Sequence, residues 1–591
     1  MRVSRTPLRV RSTLNLTSAT LVVTLCGAML SPVPARGVEP PAIEPARFES
    51  LSGGEFSTGS APPQPPSGIA VEPVKPQVAA FPFQNLSDAE RPIAAATLER
   101  VAGTDGKLVA HIVRPSVPSF GMVGVTWDQA EAVGEITAQV RSLDRSGWSE
   151  WAVLYAPDDE GPSSSEEPDA RAGTHPGWVG ASTGFEVALF STNGVAPRNL
   201  EVNIIDPGVS PADWQTKATT SAAGDQPAPD AGPRAGTFPG LPPVITREEW
   251  GADESLGDEC FAPKLGSTFK MVFVHHTAGS NDYEEYESAA VVRGVLAYHV
   301  VSRGWCDIGY NFLVDRYGNV FEGRSGGLRL PVRGAHSGEY NVNTTGISAM
   351  GNFDQTRPRR PMRRAMVRLI AWRLGTAYHG GFGRIAVEGD KFGRISGHRD
   401  AMLTACPGRY IYDWLPTLRE RVRTRLGDFV SPIEAKWRRA GGNESRLGTV
   451  RIGEQGKDGG HVTAFADGRM YASAKGVFPF YRGPILSRYK RSGEVEGRLG
   501  YPLSGMFPAG NRTGNVAQFR GGRIYWSPAT RSQLLVRSPV LKRYLSEEGP
   551  KGLLGFPTTG VVRTSTGQRA GFQHGTITFD ESTRRTKVRL S

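Results

Sequence analysis

Cysteine is scarce here, four residues in 591, so disulfides cannot be the main source of stability and apolar cores must supply it. A chain of this length exceeds what one core serves, and three or four domains are expected. Nucleic-acid signatures are missing as well. The formal net charge is +11, yet no helix-turn-helix, zinc-finger spacing or aromatic RNA-binding pattern accompanies it. The basic residues are spread throughout, which suits a solvated surface and general attraction to an anionic polymer. Long apolar runs are lacking too. Residues 14–30 come nearest to a membrane span, but Asn15, Thr17, Ser18 and Thr20 interrupt them and the run is short for a stable crossing.

That stretch follows Arg2, Arg5, Arg9 and Arg11 and precedes Pro32, Pro34 and Ala35. It reads as a cleaved signal peptide over residues 1–37, which makes the protein secreted and extracellular. Cys26 follows Leu25 rather than a small residue, which argues against a lipoprotein box, and it leaves with the signal. Residues 38–92 are rich in Pro, Gly, Ser and Ala and read as a flexible spacer. Short apolar alternations between turns over 93–208 predict an all-β sandwich, followed by a linker over 209–241. Within that sandwich Trp127, Trp148, Trp151 and Trp178 could form a carbohydrate platform, with packing as the better reading.

Chemistry concentrates further on. His275 ends the β-branched run Met271-Val272-Phe273-Val274, His398 follows a second short strand-like stretch, and Cys406 precedes the turn signal Pro407-Gly408. Two imidazoles and one thiolate make a three-ligand zinc set that leaves a position for water, as in catalytic sites. Isolated buried His and Cys are more often packed core residues, and on residue types both readings stand.

From about residue 243 to 427 the motifs are dense and in order: Ile245-Thr246-Arg247-Glu248-Glu249-Trp250-Gly251-Ala252, His275-His276-Thr277-Ala278, Gly304-Trp305-Cys306-Asp307-Ile308-Gly309-Tyr310-Asn311-Phe312, Gly318-Asn319-Val320-Phe321-Glu322-Gly323-Arg324, Gly334-Ala335-His336-Ser337, Gly397-His398-Arg399-Asp400 and Cys406-Pro407-Gly408. The segment resembles the peptidoglycan recognition protein family, which shares its fold with N-acetylmuramoyl-L-alanine amidases of the amidase-2 type. The resemblance implies zinc held by His275, His398 and Cys406, and cleavage between the lactyl group of N-acetylmuramic acid and L-alanine. It implies a catalytic phenol at Tyr310 and a hydroxyl at Thr404 where phage-type relatives carry lysine. Gly304, Trp305, Arg324 and His336 fall at substrate-binding positions, with Arg324 suited to the extra carboxylate of meso-diaminopimelate peptidoglycan. With Cys406 assigned to the metal, Cys260 and Cys306 remain to form a disulfide. A muropeptide-binding wall protein without turnover is the alternative.

Within this domain, 242–427, strands near 270–276, 311–315, 319–322 and 347–352 alternate with helices near 289–302, 362–379 and 411–426. The expected fold class is an α/β catalytic domain, a mixed central sheet flanked by helices, with an N-terminal all-β domain and a C-terminal repeat array. After a linker over 428–445, residues 446–591 repeat at roughly fifty-odd residues. Leu499-Gly500-Tyr501-Pro502 recurs as Leu554-Gly555-Phe556-Pro557. These units resemble LGFP repeats, which implies a wall anchor at arabinogalactan or a mycolate layer, with a purely structural array as the other reading.

Overall fold

The computed structural model describes residues 72–83, 98–101, 104–128, 134–156, 161–162, 167–214, 240–257, 262–510 and 512–591. All of them belong to one compact unit, Gln64–Ser591. The expected signal peptide with Cys26, most of the spacer, and Cys260 lie outside the described residues. No described helix is long and apolar enough to cross a membrane.

The N-terminal domain is all β. One sheet holds β1 (Gln77–Pro82), β3 (Phe120–Trp127), β7 (Ala172–Gly173), β8 (Gly177–Ser182) and β10 (Glu201–Asp206); the other holds β2 (Lys107–Arg114), β4 (Ile136–Asp144), β5 (Gly147–Trp148), β6 (Ala152–Tyr155) and β9 (Gly184–Ser191). Between them lie Val109, Ile112, Val123, Val125, Val140, Val187, Leu189 and Val202. The spacer expected over 38–92 is corrected at its C-terminal end, because β1 pairs antiparallel with β10 from Gln77 to Pro82. Its Ala- and Pro-containing composition hides a short edge strand whose place comes from ladder hydrogen bonds rather than a strong apolar alternation. Trp127 and Trp178 are buried. Trp148 is 37 % exposed, and it shares the Arg141 guanidinium with Trp151 at 5.0 and 4.8 Å.

The central domain is a five-stranded mixed sheet ordered β13-β12-β14-β11-β17. Its strands are β11 (Met271–His276), β12 (Phe312–Val314), β13 (Val320–Glu322), β14 (Thr344–Ala349) and β17 (Ile395–Gly397), with the hairpin β15 (Arg384–Val387) and β16 (Asp390–Gly393) beside it. α1 (Ser288–Ala297), continued by a π turn over Tyr298–Ser302, covers one face. The other face packs on α2 (Arg360–Thr376) and α3 (Arg409–Leu426), where Val272, Val274, Ile347, Leu369, Leu415 and Leu418 are buried together. The outer face of the first N-terminal sheet docks on α1. Met122 and Ile205 share a core with Val291, Val295 and Tyr298, and a Cβ on Gly124 would come within 2.4 Å of the Tyr298 ring.

Two expected linkers are partly corrected. Over 209–241, the turn Pro211–Trp214 buries Asp213 against the equally buried Arg293 of α1, at 2.6 Å. Over 428–445, α4 (Pro432–Arg439) starts from the Ser431 cap, whose hydroxyl oxygen accepts the Glu434 amide. Cap, Pro at the first position and the apolar pair Ile433 and Trp437 are a helix signature, obscured by its short length and its charges. Glu454 of the first repeat accepts from both Ser431 and Tyr378 at 2.6 Å, so the array is joined to the central domain by a buried polar network.

Each repeat contributes a four-stranded meander. Helices α5 (Pro484–Arg491) and α6 (Pro539–Ser546) follow the first two. The repeat motif has a physical reading: Leu499 and Leu554 are buried, Gly500 and Gly555 adopt positive φ of 59° and 67°, and their carbonyls accept from Tyr489 and Tyr544 at 2.8 and 2.5 Å.

Candidate metal centre and peptide groove

β11 is buried along its whole length and runs parallel to β14 and β17, with Val274 opposite Gly397. That register brings His275 and His398 to neighbouring carboxyl ends of parallel strands, where ligands collect in such sheets. Their ring centroids lie 4.6 Å apart. Cys406 arrives from the turn ahead of α3; its Sγ is 3.6 Å from His275 Nδ1 and accepts from the His276 amide at 3.4 Å. The donor atoms of His275, His398 and Cys406 all lie within 4.8 Å of one another. Cys406 is a buried thiol rather than half of a disulfide.

Burial sets the charge state of this cluster. It pushes His398 down to about 3, and burial with the neighbouring imidazoles holds His275 well below the ordinary histidine range. Both rings are therefore neutral near pH 7 and keep a lone pair to donate. Both nitrogens of His398 are buried with no hydrogen-bond partner, an arrangement that costs about 1–3 kcal/mol per unmet group in a protein interior. Two neutral imidazoles and a thiol around one point fit a metal ion of borderline softness.

The other expected residues divide. Tyr310 is buried with its ring 5.6 Å from that of His275. Thr404 Oγ1 accepts the Cys406 amide at 3.2 Å and so helps to set the Cys406 turn. His336, expected among substrate-binding positions, lies inside the cluster: its Nδ1 is 3.1 Å from His275 Nε2 and 2.8 Å from Ser337 Oγ. Burial, His398 and Arg324 push it down to about 3. Sequence reasoning passed over His276, whose amide touches Cys406, and His299, which stacks under Trp305 at 4.3 Å. Their place beside His275 and Trp305 in motif and chain was the available signal.

Gly304, at φ +69°, turns the chain into Trp305, which is buried between His299 and the Arg303 guanidinium. The opening motif holds this loop. Arg247 donates to Asp307 at 3.0 Å and to the Gly323 carbonyl at 2.7 Å, while Asp307 accepts the Ser325 amide at 2.8 Å. One buried ion pair thus ties the Trp305 and Arg324 segments together. Arg324 itself faces Glu167 of the N-terminal domain, Nη2 to Oε1, at 3.4 Å. Beside it lies a small cleft lined among others by Lys264, Asp307, Arg324 and Arg333.

Comparison with known proteins finds three matching families along the chain. Residues 76–236 match a family described as Rv3811 N-terminal galactose-binding domain-like, residues 265–409 match N-acetylmuramoyl-L-alanine amidase, and residues 499–552 match the LGFP repeat. The mouse peptidoglycan recognition protein 1 is 36 % identical over 172 residues, 29 % of this chain and 84 % of the relative. Peptidoglycan-recognition protein SC1a/b of Drosophila simulans is 34 % identical over 172 residues, 29 % of this chain and 82 % of the relative. The solved Drosophila PGRP-LB is 26 % identical, with 29 % of this chain and 92 % of that one aligned at a TM-score of 0.24. The chain belongs, through its central domain, to the peptidoglycan recognition protein family with the amidase-2 fold, and it carries C-terminal LGFP repeats.

Proposed function

We propose that the protein is a secreted, zinc-dependent amidase that cuts peptidoglycan between N-acetylmuramic acid and L-alanine, kept at the cell wall by its repeats. The observation that carries this reading is the convergence of His275, His398 and Cys406 donors within 4.8 Å, with both His398 nitrogens otherwise unmet. Zinc held there would lower the pKa of a water toward neutrality and polarise the scissile carbonyl. The remaining chemistry belongs to the chain. Neutral His275 and His398 present lone pairs, and the His276 amide and Thr404 hydroxyl position Cys406. The Tyr310 phenol, beside His275, can donate to a carbonyl oxygen as charge gathers on it. Arg324 offers a guanidinium fork to a stem-peptide carboxylate, which favours meso-diaminopimelate peptidoglycan, with Gly304 and Trp305 shaping the groove.

The names of the relatives speak of recognition, which keeps binding without turnover as the second reading. The decisive experiment incubates metal-replete protein with diaminopimelate-type sacculi and analyses the soluble fraction by mass. Released stem peptides with intact glycan support the amidase; tight sacculus binding with no release supports the recognition protein. The repeats supply wall attachment in either case, with arabinogalactan or a mycolate layer as their proposed contact.

A further inference from the structure

A site meant to meet a polymer is closed in this fold. His275, His336 and His398 are 0 % exposed, Cys406 1 %, and Tyr310 and Trp305 2 %. The cover comes from the N-terminal β domain. The Gly161 carbonyl accepts from Asn341 Nδ2 at 3.0 Å, and a Cβ on Gly161 would meet the Trp305 ring at 2.8 Å. His175 sets its ring edge against His276 at 6.2 Å. Glu167 enters the groove: Oε2 accepts the Cys306 amide at 3.0 Å while Oε1 faces Arg324 at 3.4 Å.

We propose that Glu167 is an internal occupant of the anion seat at Arg324, holding the groove latched until a carboxylate on the incoming peptide takes its place. The identity of the seat as one for a peptide carboxylate rests on the reading proposed above; the Glu167 contact with Arg324 is a feature of the fold. The pairing is incomplete. Glu167 engages one nitrogen of the guanidinium, and Arg324 Nη1 is buried with no hydrogen-bond partner. A ligand carboxylate presented to both nitrogens would satisfy the fork better. The neighbouring cleft already carries Lys264 and Arg333 as further cations. The domain need not depart for this exchange. Its body is fixed on α1 by Tyr298, whose hydroxyl donates to Thr174 and Val125 carbonyls at 2.9 and 3.1 Å, and by the buried Arg293 and Asp213 pair. Release of the Glu167 contact is local, and the anchor stays.

The test uses the full-length chain with Glu167→Gln, which keeps shape and removes charge. Soluble stem-peptide fragments carrying diaminopimelate bind the variant about tenfold more tightly than the wild type, or about 1.4 kcal/mol, and lysine-type fragments gain less. In metal-stripped protein, alkylation of Cys406 by a small thiol reagent accelerates. Unchanged or weaker fragment binding, or an alkylation rate equal to wild type, overturns the latch and leaves Glu167 as a wall of the groove. Glu167→Ala gives the same reading should the Gln variant fold poorly. Sacculi left uncut by a variant that passes both measurements would instead remove the amidase reading alone.

Discussion

Replacing His398 by leucine separates a functional ligand from a packed core residue. His398 is fully buried, burial holds it neutral, and neither ring nitrogen has a hydrogen-bond partner. Leucine removes these unmet groups. At a low-end cost of about 1 kcal/mol for each of the two nitrogens left without a partner, about 2 kcal/mol together, less up to about 1.5 kcal/mol for imperfect repacking, His398→Leu stabilises the chelator-treated protein by roughly 0.5–2 kcal/mol. In a cooperative unit of this domain's size, at about 2–4 °C per kcal/mol, that is a rise of about 1–8 °C in Tm. With zinc in hundredfold excess over its Kd, the wild type gains about 2.7 kcal/mol and the variant does not, so the order reverses. Thermal unfolding followed by tryptophan fluorescence, with and without zinc, reads both effects. A variant less stable than wild type under chelation, or one that zinc stabilises equally, refutes the assignment of His398 as a ligand.

Cys406→Ser keeps the fold, because its packing volume is nearly unchanged, but lowers zinc content and reduces stem-peptide release by more than a hundredfold; metal analysis and the sacculus assay check this together. Arg324→Ala weakens diaminopimelate-type fragments by roughly tenfold to a hundredfold, in keeping with about 1.5–3 kcal/mol for a charged hydrogen bond, and affects lysine-type fragments less; equal losses would remove the specificity assignment. His379 donates to the Phe269 carbonyl at 2.8 Å, and burial with Arg394 nearby pushes it down to about 4 from an ordinary 6.5. Between those values the unfolded chain binds more protons, so the stability is fully present above pH 6.5 and falls by about 3 kcal/mol as pH drops toward 4. His379→Gln flattens that acid limb in a Tm-versus-pH series, and an unchanged slope would show that His379 does not carry it.

Much of the fold was legible because the motifs are local. The run Met271-Val272-Phe273-Val274 has the apolar, β-branched character of a buried strand, and β11 is buried on both faces. The repeat glycines occupy turns that demand positive φ, and the Leu and aromatic partners around them fill each core. Strands β15 and β16 were missed, being four residues long each and too short to show periodicity. β17 is the short strand-like stretch read ahead of His398, and its place in the sheet comes from pairing with β11. Edge strand β1 and helix α4 were hidden in compositions that read as spacer and linker. The domain contacts could not be read at all, since Arg293 and Asp213 lie 80 positions apart and nothing local to either names the other.

Residue types and their order determined which groups could bind metal, two histidines at strand ends and a cysteine at a turn, and set a tyrosine and an arginine in recognisable motifs. Tertiary structure decided what surrounds them. Parallel pairing of β11 with β17 brings His275 to His398, the chain's return through the Cys406 turn adds the sulfur, and docking of the β domain on α1 carries Glu167 to Arg324. Donor chemistry is a property of each side chain, whereas distance, burial and the identity of a neighbour come from long-range packing.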